Sequence, residues 1–104
     1  MVRVHSEVAG YAAVGQAVQL VVGSPRFKPF KLLEVRVPTD TIANTIMRVF
    51  VNGETRYDLI PTVTDHAYLI DEEFPENTEI QFVVITRTAT AQLIGVSAVT
   101  DEQL

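Results

Sequence analysis

The chain offers few residues whose type and spacing could do chemistry. "GVSAV" at 95–99 is the nearest approach to a nucleophile elbow, but it lacks the final glycine and lies in a strand-like run, so Ser97 reads as a plain strand residue. His5 and His66 fall in separate strand-like runs, and the neighbours Asp65 and His66 point to opposite faces of any strand that holds both. A zinc site would need more ligands than these. With no cysteine there is no thiolate nucleophile, thiolate ligand or disulfide. "DEEFPENTE" gathers Asp71, Glu72, Glu73, Glu76 and Glu79, yet it lacks the alternating Asp/Asn pattern and the glycine of an EF-hand loop. It reads as a solvated turn, and carboxylates on one turn rarely keep the fixed separation of roughly 5–10 Å that glycoside hydrolysis needs. The expectation is a non-catalytic chain with no cofactor.

The basic, aromatic segment "SPRFKPFK" at 24–31 has a different potential. It holds Arg26, Lys28 and Lys31 beside Phe27 and Phe30, with Pro25 and Pro29 limiting the entropy lost when the rings dock. Its phenylalanines either cap the domain's own core while the cations stay wet, or present a contact loop to a protein partner. Residues 24–36 carry Arg26, Lys28, Lys31 and Arg36, half of the eight basic side chains, while residues 71–79 carry five of the thirteen acids. That division predicts an electrically two-ended chain, with the acidic turn of a neighbouring copy as the complement of the basic loop.

These side chains must be positioned by strands. Runs rich in Val, Ile, Phe, Tyr and Thr are expected at about 2–8, 17–22, 31–37, 45–51, 55–60, 66–70, 79–86 and 91–99, with glycines and prolines between them. Gly10 and Gly15 count against a helix in "EVAGYAAVGQAVQL". In "IMRVFVNGETRYDLI", Asn52-Gly53 suits a two-residue type I′ turn. Regular pairing from that turn would set Val49 against Arg56 and Arg48 against Tyr57, turning Ile46, Phe50, Tyr57 and Leu59 to the core and Met47, Val49 and Val51 outward. The strands near the end are apolar on both sides. Ile80, Phe82 and Val84 oppose Val83 and Ile85, and Ile94 and Val96 oppose Leu93 and Val99. Either a loop of the same chain or another subunit covers the second faces, which makes Val83 and Ile85 candidate partner-binding residues beside Arg26, Phe27, Lys28, Phe30 and Lys31.

Spacing of about ten residues per strand over 104 residues predicts one all-β domain, a β-sandwich or jelly roll of eight antiparallel strands. The formal net charge of -5 argues against a nucleic-acid partner. The start "MVRVHSEV" does not read as a secretory signal and no apolar run is long enough to span a bilayer, so a soluble chain without a membrane partner is expected.

Taken in order, "PFKLLEVRVP", "RVFVNGETRYDLI", "FPENTEIQFVVI" and "TAQLIGVSAV" resemble the small β-sandwich or jelly-roll structural proteins of tailed-phage virions, the head decoration or cement subunits. The resemblance covers most of the chain and carries over no functional residue. It implies a virion-located, non-catalytic subunit that forms a homo-oligomer, with a trimer as the expected number, and clamps capsid subunits together. The alternative from another class is a carbohydrate-binding β-sandwich, for which the aromatic supply is short: Tyr11, Tyr57, Tyr68 and the two loop phenylalanines, with no tryptophan.

Overall fold

The computed structural model describes residues 2–9, 16–23, 28–40, 44–61, 64–86 and 93–102. Alternation of apolar and polar residues between turn signals yields eight strands: β1 (Val2–Ala9), β2 (Ala17–Val22), β3 (Phe30–Pro38), β4 (Thr45–Val51), β5 (Glu54–Leu59), β6 (Asp65–Phe74), β7 (Ile80–Thr86) and β8 (Ile94–Glu102). They form two four-stranded antiparallel sheets, ordered β1-β8-β3-β6 and β2-β7-β4-β5, packed as the expected all-β sandwich. No helix among the described residues is long and apolar enough to cross a membrane.

The inner faces interlock into one core. Leu32, Val35, Val37, Ile94, Val96 and Ala98 come from the first sheet, and Val22, Met47, Val49, Ile80, Phe82 and Val84 from the second. Each fully buried Val, Leu, Ile, Phe or Met contributes about 1.5–3 kcal/mol. The step from Leu32 to Val35 on the same face marks a bulge in β3, opposite Asp71, whose φ of 53° takes up the irregularity in β6. β6 therefore runs on through residues expected to be a solvated turn. Lys31 stands opposite Glu73 and pairs with Asp71, and Arg56 pairs with Glu72, so the carboxylates have counter-charges that make an extended path tolerable.

The hairpin at Asn52-Gly53 forms with φ of 50° and 82°, and Val51 opposes Glu54 and Phe50 opposes Thr55 as expected. Beyond that the pairing departs from the regular ladder. Arg56 is an extra residue, so Val49 meets Tyr57, Arg48 meets Asp58 and Met47 meets Leu59. The bulge moves Tyr57 and Leu59 opposite the odd-numbered residues of β4, so Leu59 packs on the core as expected and Ile46 is buried, while the expected places of Met47, Val49 and Phe50 on β4 are corrected. Met47 and Val49 lie in the core against Val84 and Phe82, while Arg48 is exposed and Phe50 is only partly buried. The extra residue also aims Arg56 across the gap between the sheets, where its guanidinium reaches the Glu72 carboxylate and lies 5.6 Å from the centre of the Phe74 ring.

Candidate interaction surface

Strand pairing brings the basic segment and the acidic stretch together. Phe30 opens β3 directly opposite Phe74, both rings are buried, and they stack with centroids 5.5 Å apart. Lys31, the next residue, opposes Glu73 on one side and Asp101 on the other, and its Nζ lies 3.0 Å from Asp71 Oδ1. The hydrogen bond and the charge of Asp71 raise the Lys31 pKa above its ordinary 10.5. A groove of about 490 Å³ opens here, lined by Pro29, Lys31, Glu73, Phe74, Pro75 and Asp101 among others. The expectation of two separate charged ends is thus corrected. Antiparallel pairing of β3 with β6 makes the two segments neighbours, and Lys31 is neutralised within the chain. Phe30 caps the core, Lys28 is exposed, and Arg26 and Phe27 lie outside the described residues.

Val83 and Ile85 do alternate away from the core and are half-buried. Register places Ile85 between Ala17 and Ile46, Val83 between Gln19 and Arg48, and Gln81 between Val21 and Phe50. The outer face of this sheet is therefore apolar in the Ile85 row and mixed further along β7, where Gln19 and Arg48 flank Val83 and Gln81 lies between Val21 and Phe50. There Gln81 donates to Gln19 at 2.9 Å and Arg48 lies 3.8 Å from Asp58.

The other sheet has a surface that sequence reasoning missed. β1 sends Val2, Val4, Ser6 and Val8 outward, and its three valines are 60%, 68% and 58% exposed, with Val4 directly opposite Val99 of β8. The opposite side of β1 is polar. His5 Nε2 lies 3.2 Å from Thr100 Oγ1 and 3.3 Å from Glu102 Oε1, while Arg3 Nη1 donates to Glu102 Oε2 at 3.3 Å. Glu102, almost fully buried, also accepts from the Thr100 hydroxyl, so its charge is compensated by partners on two strands. The signal was present in "VRVHSEV", which alternates cleanly.

His5 on β1 and His66 on β6 sit at opposite edges of one sheet, and the His66 ring is stacked on Tyr68 at 4.1 Å. Ser97 lies mid-strand between Ser6 and Arg36. Among the described residues no three His, Asp or Glu side chains converge as a ligand set.

No family model matches the chain, and no curated protein sequence matches it. Among solved structures it is similar to a family 35 carbohydrate binding module from Clostridium thermocellum, with a TM-score of 0.56 and 14% identity over 99% of both chains. That likeness shows the β-sandwich fold. Fainter likenesses are to Aeromonas hydrophila PliG, a periplasmic inhibitor of g-type lysozyme (TM-score 0.47, 13% identity, 95% of this chain and 87% of that one), and to a chain of infectious bursal disease virus Gx strain (TM-score 0.38, 11% identity, 98% of this chain and 32% of that one).

Proposed function

We propose that this chain is a non-catalytic structural subunit that associates with copies of itself and docks on a larger protein assembly, in the manner of the head decoration or cement subunits of tailed-phage virions. The observation that carries this reading is the row Val2, Val4 and Val8 on one side of a single strand, with Val99 beside it. Single exposed apolar residues are ordinary, but three valines along one strand face, interrupted only by Ser6, cost free energy in water that association recovers. Val21, 50% exposed on the other sheet and one same-face step along from the row of Val83, supplies a second apolar point for contact with the assembly. On the β3-β6 half, Arg36 is paired with Glu34 and Asp65, beside Leu69, which is 84% exposed opposite Glu34 and gives that surface one apolar point among its charges.

A carbohydrate-binding module is the second reading, favoured by the full-length likeness to the family 35 module. Against it, the aromatic rings beside the one described groove that pairs carboxylates with aromatics are already spent. Phe30 and Phe74 are buried against each other and Arg56 covers Phe74, leaving no ring face for a sugar. The two readings separate in one experiment. Light-scattering mass is measured for the wild type and for Val21→Asp, and both are run through gels containing soluble polysaccharides. Association without retardation by any polysaccharide supports the structural subunit. A monomer that a polysaccharide retards overturns it in favour of the sugar-binding module.

A further inference from the structure

Strand β1 ends its sheet. β8 pairs along one side of it, and among the described residues no strand pairs along the other. It is eight residues long and has no proline, lysine or bulge to block pairing altogether; its inward-facing Arg3 and Glu7 instead discriminate among strands. The remaining edges are protected or shorter. β6 has its bulge and the acids Asp65, Asp71, Glu72 and Glu73, β5 has the bulge at Arg56, and β2 has six residues with no charge to set a register.

We propose that β1 is a dimerisation strand, pairing antiparallel with β1 of a second copy across a twofold axis at His5, so that two four-stranded sheets join into one of eight. In a continuous sheet directly opposed residues share a face, so residues of the same parity must meet. With the axis at His5, Arg3 lies opposite the partner's Glu7 and Glu7 opposite the partner's Arg3, while Val2 meets the partner's Val8 twice on the outer face. Neighbouring registers leave Arg3 without a carboxylate. An axis at Val4 sets Arg3 opposite the partner's His5, one at Ser6 gives Glu7 the partner's His5 but leaves Arg3 opposite the partner's Ala9, and one at Glu7 opposes two carboxylates. Within the chain Glu7 is exposed and has no ion-pair partner among the described residues, and Arg3 is 52% exposed with one contact, to Glu102. Inward charges on an edge strand repel foreign strands, and this register is the one that satisfies them. The inference rests on the self-association in the proposed function and not on the larger assembly.

The test uses the full chain. The wild type should approach twice its 11.5 kDa mass as concentration rises. Glu7→Arg sets like charges opposite each other at both contacts and should weaken the dimer by about tenfold or more at low salt, with a smaller loss at high salt. Mixing Glu7→Arg with Arg3→Glu should restore a heterodimer, because unlike charges again meet at both contacts. Should Arg3→Glu fail to fold beside Glu102, amide exchange in the wild type decides, since residues 2–9 should exchange more slowly as concentration rises. A dimer that Glu7→Arg leaves intact, or whose residues 2–9 exchange at a rate independent of concentration, overturns the β1 assignment and leaves the structural-subunit reading standing. A wild type that is monomeric at every concentration overturns both.

Discussion

Gly95→Ala tests how β1 is seated. Gly95 lies on β8 opposite Val8, and a Cβ added there would come 2.7 Å from the Glu7 carbonyl oxygen, 2.9 Å from Val8 Cγ2 and 3.1 Å from Val8 Cα. Ordinary contact begins at 3.4 Å, so the clash with the Glu7 oxygen needs relief of about 0.7 Å, and two of the three atoms are backbone. β8 has no slack to give, because the neighbouring Ile94 and Val96 are fully buried in the core. β1 must therefore move outward, loosening its ladder to β8. Overpacking of this kind costs about 1–3 kcal/mol. At about 2 kcal/mol, and roughly 4–8 °C of melting temperature per kcal/mol for a domain of this size, the midpoint should fall by about 8–16 °C. Thermal and urea unfolding followed by circular dichroism measure the loss, and amide exchange locates it in residues 2–9. A midpoint within about 2 °C of wild type, with β1 amides protected as before, would refute the close seating of β1 on Gly95.

Gly53→Ala should cost about 1 kcal/mol through its positive φ alone, because the new methyl meets nothing within 4 Å. Asn52→Ala should cost more, since the Asn52 Oδ1 also accepts the Glu79 N–H at 2.8 Å and ties the hairpin to the entry of β7; equal urea midpoints for the two variants would count against that tie. Tyr68→Phe should be neutral or stabilising in the same assay, because the buried Tyr68 hydroxyl has no hydrogen-bond partner among the described residues, and a loss above about 1 kcal/mol would show that it does have one. Alkaline pH should destabilise the fold. The hydrogen bond and charge of Asp71 raise the Lys31 pKa, and desolvation raises that of Tyr68, so in both cases the folded state holds its proton more tightly than the unfolded one. Their contribution is complete below about pH 10 and is lost as pH rises through the folded values, so urea midpoints should be flat near neutrality and fall above that point, less steeply in Lys31→Met.

Strand placement was readable because proline, glycine and asparagine punctuate apolar runs, and Asn52-Gly53 specified a turn by backbone chemistry alone. The order of the strands was not, because neighbours such as β3 and β8 are far apart in sequence. That non-locality explains the misjudged charges: Lys31 and Asp71 look like opposite poles along the chain and become an ion pair only when β3 and β6 align. It also hid the acidic strand, whose compensating cations come from β3 and β5. The bulge at Arg56 left no compositional mark, and with apolar residues on both sides of β4 a one-residue slip was enough to exchange the inner and outer faces. Val83 and Ile85 were found as outward residues from alternation, whereas Val2, Val4 and Val8 matter only once β1 is seen to be an edge.

Sedimentation velocity across a wide range of protein concentration separates a self-associating subunit from a monomer. A self-associating chain should give a boundary that moves from the 11.5 kDa species toward a faster one as concentration rises, with the shift reduced in Glu7→Arg. One 11.5 kDa species with the same sedimentation coefficient throughout the range would contradict self-association.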